Sequence, residues 1–203
     1  MEEEVKRTKI SIIILGESAV GKTCVCLTFL GSEFHGDVIA TVGVEKMDST
    51  IKIETGEELK LKIWDTAGQE RFKAASLKYL RYSQAAIIVF DLTNKNSFDQ
   101  VPFCLKDIRD LAPNIPVVLF GNKSDLVNER KVDKSDIDSL CKREGLEYFE
   151  TSAKNNTGIK EGFTKIATLA YKIFPTIPNR GLKLSNKINE KEKKCWKYLF
   201  MNK

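Results

Sequence analysis

Short apolar runs alternate with amphipathic stretches along the chain, and this alternation predicts the order of its strands and helices. Residues 10–15, 85–90 and 116–120 form nearly continuous apolar runs, which are typical of strands buried on both faces of a parallel sheet. Residues 59–64 instead alternate between apolar and polar positions, as expected of a strand with one solvated face. We therefore expect strands at all four places.

Two more strands are predicted at residues 42–53 and 146–150. A polar turn that contains Gly56 separates the first of them from residues 59–64, which predicts a hairpin. The stretches between strands have helical periodicity. Helices are expected at residues 23–30, 71–82, 97–111, 133–143 and 159–174.

Strands that alternate with helices of about 10–15 residues indicate an α/β fold. We expect a doubly wound, mostly parallel, six-stranded sheet with helices on both faces. Ligands bind to such sheets at the carboxyl ends of the strands. The loops that follow the strands are therefore where functional residues are expected.

The length of 203 residues suits one domain with an extension. We expect a flexible N-terminus at residues 1–8, a domain at 9–174 and a basic tail at 175–203. The tail carries a net charge of +6 and leaves about −1 on the rest of the chain. A nucleic-acid-binding domain would carry its own basic face, so the charge distribution argues against that class.

Neither a transmembrane helix nor a signal peptide is expected, because no apolar run reaches 18 residues and the first residues are acidic. The cysteine count is odd, and the spacing fits neither a zinc site nor a disulfide framework. The five residues are Cys24, Cys26, Cys104, Cys141 and Cys195. We expect a cytoplasmic protein with reduced thiols.

The loop after the first predicted strand has the pattern G-x-x-x-x-G-K-T. It comprises Gly16, Glu17, Ser18, Ala19, Val20, Gly21, Lys22 and Thr23. Glycines let the backbone wrap a phosphate chain, and the N–H groups at the start of the next helix attract anions. Lys22 can serve the outer phosphates, and Thr23 can ligate Mg²⁺. A chance glycine-rich turn is the alternative, but the strand before and the helix after favour a phosphate loop.

A second polar loop follows the alternating strand. Asp65 lies at the end of that strand, where its carboxylate can hold Mg²⁺ as a Walker-B-type acid does. Gly68 allows its backbone N–H to approach a terminal phosphate, and Gln69 can orient an attacking water. A turn or capping aspartate is the alternative for Asp65 alone, and the spacing to Gly68 and Gln69 argues against it.

The last two strands end in loops that suit a purine base. Asp125 can accept hydrogen bonds from the ring N–H and the exocyclic amine of guanine, a donor pair that adenine lacks. Asn122 and Lys123 can fix this loop and cover the base plane. Backbone N–H groups for the guanine carbonyl oxygen are expected from Ser152, Ala153 and Lys154.

In this order, the motifs resemble those of the small GTPases of the Ras superfamily over residues 9–174. Within the superfamily, residues 60–72 and 88–93 are similar to the Rab pattern. The resemblance implies a P-loop G domain that binds GTP or GDP with Mg²⁺ and hydrolyses GTP slowly. It implies a molecular switch that regulates vesicle traffic.

The resemblance also implies roles for residues outside the motifs above. Thr41 matches the switch threonine that joins Mg²⁺ and the γ-phosphate, Phe34 the aromatic that packs against guanine, and Cys24 a nucleotide-binding position. An exchange factor, an activating protein and effectors are implied as partners. Effectors would contact residues 36–46 and 65–82 of what we expect to be a monomer.

Two departures from the Rab pattern matter. Lys46 stands where Rab proteins usually have an apolar residue that contacts effectors. Cys195 lies eight residues before the last residue, so neither the usual Rab ending nor a prenylation box is present. A Rab-related scaffold, or a signalling GTPase without a prenyl anchor, is therefore an alternative.

The basic tail has two interpretations. It can be a disordered, solubilising linker, or its lysines and Trp196 can contact an anionic membrane. The second interpretation would place the protein on the cytosolic face of an internal membrane.

A metabolic P-loop enzyme such as a nucleotide kinase is a further alternative to a switch or a scaffold, but the loop around Asp125 argues against it.

Overall fold

The computed structural model describes residues 8–36, 40–69 and 73–175. Six strands form one sheet in the order β2-β3-β1-β4-β5-β6. Their bounds are Lys9–Leu15 (β1), Val44–Lys52 (β2), Glu58–Thr66 (β3), Ala85–Asp91 (β4), Val117–Asn122 (β5) and Glu147–Glu150 (β6). Only β2 and β3 pair antiparallel, so the expectation of a mostly parallel six-stranded sheet is confirmed.

Helices follow most of the strands. Within the described residues they are Lys22–Phe29 (α1), Lys73–Leu80 (α2), Lys95–Asp99 (α3), Val101–Leu111 (α4), Lys134–Glu144 (α5) and Ile159–Ile173 (α6). A short 3-10 helix spans Val127–Glu129. Over the same residues, no helix has the length and hydrophobicity needed to cross a bilayer.

The single helix predicted over residues 97–111 is wrong in that the structure has two helices there, divided at Gln100. The segment begins earlier, at Lys95, where the side chain of Asn94 caps α3. It is divided at Gln100, and Pro102 lies in the first turn of α4. Proline lacks an N–H and clashes with the carbonyl four residues before it, so it is tolerated at the start of a helix but not inside one.

The apolar strands bury side chains on both faces, because successive residues of a strand point to opposite sides of the sheet. Ile12 of β1 belongs to the core that also contains Val25 of α1 and Phe163 of α6. Its neighbour Ile13 belongs to the other core, with Ile108 of α4 and residues of α2 and α5. This double burial explains why β1, β4 and β5 have continuous apolar sequences.

The two ends of the described domain meet. Thr8 Oγ1 donates a hydrogen bond to the carbonyl oxygen of Pro175 at 3.3 Å. The predicted N-terminus at residues 1–8 lies, apart from Thr8, outside the described residues, and so does the tail apart from Pro175.

Candidate functional site

A cavity of about 480 Å³ opens at the edge of the sheet where the parallel strands end. The loops after β1, β3, β5 and β6 meet there, as expected for the ligand site of a doubly wound sheet. The residues predicted from the sequence that line it are Ser18, Ala19, Gly21, Lys22, Thr23, Cys24, Phe34, Thr41, Gly68, Gln69, Asn122, Lys123, Asp125, Ala153 and Lys154. The remaining predicted residues contact these from behind, as described below.

Gly21 is the residue on which the phosphate loop turns into α1. Its φ is +92°, and a Cβ there would lie 2.4 Å from Nδ2 of Asn122. Any other residue would be strained and would also displace the asparagine. Because glycine caps the helix without a side chain, the N–H groups at the start of α1 are available to an anion.

Lys22 is 5% exposed, and its ammonium group is held inside the phosphate loop. Its Nζ donates to the carbonyl oxygens of Gly16 at 3.0 Å and Glu17 at 2.6 Å. Burial lowers the pKa of Lys22 to about 8, against the opposing charge of Asp65. A phosphate group in the loop would favour the charged ammonium, so the position suits an anionic ligand.

Three oxygen-bearing side chains converge beside Lys22. Thr23 Oγ1 donates to Asp65 Oδ2 at 2.6 Å, and the Thr23 and Thr41 hydroxyl oxygens are 2.7 Å apart. Thr41 Oγ1 lies 3.4 Å from the same Asp65 oxygen. The other oxygen of Asp65, Oδ1, is buried with no hydrogen-bond partner among the described residues. Burial raises the pKa of Asp65, and the hydrogen bond from Thr23 opposes that shift.

This donor set fits Mg²⁺. A hard cation prefers oxygen ligands, and carboxylate with hydroxyl oxygens supplies them. The unpartnered oxygen of Asp65 could accept a metal-bound water. When bound with a nucleotide, Mg²⁺ neutralises negative charge on the phosphate oxygens.

The loop after β3 packs against the phosphate loop. A Cβ on Gly68 would lie 2.3 Å from the atoms of the peptide bond between Glu17 and Ser18, so only glycine permits this approach. Gln69, half-buried, lines the cavity next to it. Residues 70–72 lie outside the described part of the chain.

Asn122 joins the phosphate loop to the loop after β6. Its side chain is 2% exposed, and Nδ2 donates to the carbonyl oxygen of Val20 at 2.9 Å. Its Oδ1 accepts longer hydrogen bonds of 3.4 Å from Thr151 Oγ1 and the N–H of Ala153. The side chain of Val20 is buried in the core, so Val20 contributes to the site through its carbonyl oxygen, which holds Asn122.

The carboxylate of Asp125 is held by Ser152. Ser152 Oγ donates to Asp125 Oδ1 at 2.6 Å and accepts from the N–H of Asn155 at 3.0 Å. Ser152 is fully buried, so its contribution is to fix Asp125 from behind. Lys154 is exposed at the rim of the cavity.

Sequence reasoning missed Asp91. It ends β4 at the same edge of the sheet, and its Oδ2 lies 2.6 Å from Nζ of Lys123. Lys123 has a φ of +66°, an unusual conformation for lysine that the ion pair helps to hold. Asp91 has the same placement at a strand end that marks Asp65 in the sequence.

A phosphate loop between β1 and α1, an oxygen cluster suited to Mg²⁺, and a carboxylate facing the base region are features of P-loop nucleotide-binding proteins. Comparison with known proteins is consistent with that class. The model of the Ras family matches residues 11–172. Among curated relatives, the chain is 38% identical over 177 residues to the Ras-related protein Rab-13 of Bos taurus, covering 87% of this chain and 85% of the relative.

Plant relatives are equally similar. The chain is 40% identical over 163 residues to Ras-related protein Rab11A of Lotus japonicus, covering 80% of this chain and 72% of that protein. It is 39% identical over 172 residues to Ras-related protein RABA4b of Arabidopsis thaliana, covering 84% and 75% of the two chains.

This protein belongs to the Ras superfamily of small GTPases and, within it, to the Rab family. It is a GTPase that hydrolyses GTP to GDP and uses Mg²⁺, and it acts as a switch that regulates vesicle traffic. Its partners as a Rab protein are exchange factors, activating proteins and effectors, and Rab proteins associate with the cytosolic face of internal membranes. The family predicted from the sequence is confirmed, and the alternatives of a scaffold or a signalling GTPase are not favoured.

Replacement of Asn122 by alanine is expected to accelerate GDP release by about 10- to 100-fold. The change leaves the Val20 carbonyl and the Ala153 N–H unpaired in a buried place, at a cost of about 1–3 kcal/mol, and about 1.4 kcal/mol corresponds to a factor of ten. Release of a fluorescent GDP analogue measures the effect. The control is Asn155→Ala, at an exposed position of the neighbouring loop; equal release rates for the two variants would contradict the bridging role of Asn122.

Proposed function

We propose that the guanine nucleotide binds in the cavity described above. Residues 16–23 with Cys24 contact the phosphates, Phe34 and the loops at 122–125 and 152–154 contact the base, and Thr23, Thr41 and Asp65 hold Mg²⁺. The observation that carries the proposal is the contact of Thr41 with Thr23 and Asp65. It connects the loop that follows α1 to the phosphate site, so the occupant of the site can change that loop.

Selection of guanine is assigned to Asp125. The carboxylate is held on one oxygen by Ser152, which fixes its direction before a ligand arrives. A fixed acceptor discriminates strongly between guanine and adenine, because a base without the matching N–H donors leaves the carboxylate unpaired. Asn122 keeps this loop and the phosphate loop at a constant separation.

The switch would work through Thr41 and Gly68. These residues lie on two different loops, and both reach the phosphate loop. A γ-phosphate adds contacts to both loops, and hydrolysis removes those contacts together with the phosphate. Effectors would then distinguish the two nucleotide states by the order of residues 36–46 and 65–82, of which 37–39 and 70–72 lie outside the described residues.

Hydrolysis is assigned to a water oriented by Gln69, which lines the cavity beside Gly68. The sequence has no arginine between Phe34 and Thr41 to stabilise the transition state from within the chain. We therefore expect slow intrinsic turnover and an acceleration of about 10³–10⁵-fold by an activating protein that supplies an arginine.

Residues 9–174 are proposed to form the whole G domain, which acts as a monomer. The hydrogen bond between Thr8 and Pro175 supports these bounds, because it joins the two ends of the domain.

The tail is proposed to contact anionic membrane through its lysines and Trp196, which lie outside the described residues.

The nucleotide that co-purifies with the protein is expected to be GDP or GTP, and EDTA is expected to accelerate its exchange strongly. Removal of Mg²⁺ would leave the Asp65 carboxylate near the phosphates without a cation between them. Chromatography of the released nucleotide and exchange rates with and without EDTA provide the measurement. An adenine nucleotide would favour a kinase-like enzyme. An exchange rate that is the same with and without EDTA would contradict the metal site.

A Gln69→Leu variant is expected to bind GTP with unchanged affinity and to lose most of the turnover stimulated by an activating protein. Leucine fills a similar volume but cannot orient water. Single-turnover hydrolysis with the catalytic domain of a Rab-activating protein measures the loss, and GTP affinity is the internal control. Similar single-turnover rates for variant and wild type would remove the role assigned to Gln69.

Deletion of residues 188–203 is expected to abolish binding to anionic vesicles. Co-sedimentation of the full chain and the truncated chain with phosphatidylserine-containing vesicles tests this, with neutral phosphatidylcholine vesicles as the control. If both chains sediment equally with the anionic vesicles, the tail is not the membrane contact.

A further inference from the structure

The outward face of the β2–β3 hairpin carries exposed lysines beside a tryptophan. Lys46, Asp48 and Thr50 of β2 are exposed on this face, whereas Ile51, which points to the other side, is buried. Lys46 stands opposite Trp64 in the antiparallel register, and Asp48 stands opposite Lys62. We call Lys9, Lys46, Lys62 and Trp64 the lysine–tryptophan face.

Positive charge on this face exceeds the local negative charge. Lys46 forms an ion pair with Asp48, and Lys9 Nζ lies 3.6 Å from the other oxygen of the same carboxylate. Lys62 Nζ lies 5.2 Å from the centre of the Trp64 ring. Partial burial and the charges of Lys9 and Lys46 lower the pKa of Lys62, as expected where lysines repel one another.

Trp64 is a rigid part of this surface. Its ring packs against Tyr79 with 4.5 Å between centroids, and its Nε1 donates to Ser11 Oγ at 2.7 Å. The polar atom of the indole is therefore already satisfied, and the half-buried ring offers apolar area to a partner. Rigid aromatic side chains of this kind are frequent anchors of protein interfaces.

The ammonium group of Lys62 and the register position of Lys46 restrict which partner can cover the indole. Lys46 stands across from the ring and Lys62 lies over it. An apolar partner would remove the Lys62 ammonium group from water without a compensating charge and would cover the ion pair of Lys46 with Asp48, which is unfavourable. A partner with carboxylates at these positions would pair with them, so the lysines select against one class of partner and for another.

The face continues into the loops assigned to nucleotide sensing. Val44 pairs with Thr66, next to Asp65, and the N–H of Ala67 donates to the carbonyl oxygen of Gly43 at 2.9 Å. The strand that carries Lys46 therefore continues directly from the loop that contains Thr41.

We propose that the lysine–tryptophan face binds an acidic segment of an effector protein, with carboxylates over Lys46 and Lys62 and an apolar side chain over Trp64. This inference rests on the proposed function, because it names the chemistry of the partner that reads the switch. Affinity for such a segment falls as salt rises, since the paired charges lie near the surface.

Selection from a random peptide library tests the proposal. The full chain, loaded with Mg²⁺ and a non-hydrolysable GTP analogue, is expected to enrich peptides rich in aspartate and glutamate. Lys46→Glu and Lys62→Glu should each weaken the best synthetic peptide by about 10- to 100-fold. Exchange of its glutamates for glutamines should have a similar effect. Lys160→Glu, at an exposed position on α6, is the matched control and should bind the peptide as wild type does.

Several outcomes would overturn the inference. Selection that yields no acidic peptides, or acidic peptides that bind the Lys46→Glu variant equally well, would do so. Loss of phosphatidylserine-vesicle binding in both lysine variants, without acidic peptides being selected, would assign the face to membrane instead. Peptide binding that appears only after Glu2, Glu3 and Glu4 are changed to glutamine would assign it to the N-terminus of the chain.

The nucleotide content of each variant separates this inference from the proposed function. Thermal unfolding and retention of the GTP analogue show that a variant is folded and loaded. If wild type retains the GTP analogue but does not bind acidic peptides, the assignment of an acidic partner is wrong and the proposed nucleotide switch is unaffected. If wild type does not retain a guanine nucleotide, the proposed function fails and the inference fails with it.

Discussion

Asp65 is a fully buried carboxylate at the end of β3, and the loops around it must balance its charge. The hydroxyl of Thr23 donates to one of its oxygens, while the other has no partner among the described residues. Lys22 supplies a nearby positive charge but is itself held by two loop carbonyls. A buried carboxylate with incomplete partners is unfavourable, so the site is built to gain from a cation and a phosphate together. The position of Thr41 depends on that same carboxylate.

The parts of the site differ in how firmly the fold holds them. Asn122 is almost fully buried and forms hydrogen bonds with the phosphate loop and with the loop after β6, so it ties these two loops together. The loop before β2 is different, because Val42 is 72% exposed and Phe34 is also exposed. Segments with little buried apolar surface open at low free-energy cost. The contacts of Thr41 at the phosphate site can therefore decide the order of its loop, which the same contacts could not do for a buried strand.

Sequence patterns predicted the sheet because continuous apolar runs can be buried only between two layers of helices, as Ile12 and Ile13 show. The break at Gln100 was missed because periodicity continues through it, although Pro102 carried the signal. The ion pair of Asp91 with Lys123 depends on the unusual backbone of the lysine and on two adjacent strand ends. Local sequence does not encode that distance. The contact of Gly68 with the Glu17–Ser18 peptide is likewise set by where two loops meet.

The residue proposed to sense the nucleotide and the residue proposed to select the effector differ in how firmly the fold holds them. In the proposed switch, the order of the loop that contains Thr41 depends on the ligand. Lys46, five residues later, is fixed by pairing with Trp64 inside a nine-residue antiparallel ladder. Its charge is therefore presented in the same place whichever nucleotide is bound. In the proposed mode of binding, a partner that contacts both residues would respond to two separate features: the charge of Lys46 would select an acidic partner, and Thr41 would report whether GTP is bound. The lysine at this position would then change which proteins bind to the GTP state without changing how GTP is bound or hydrolysed.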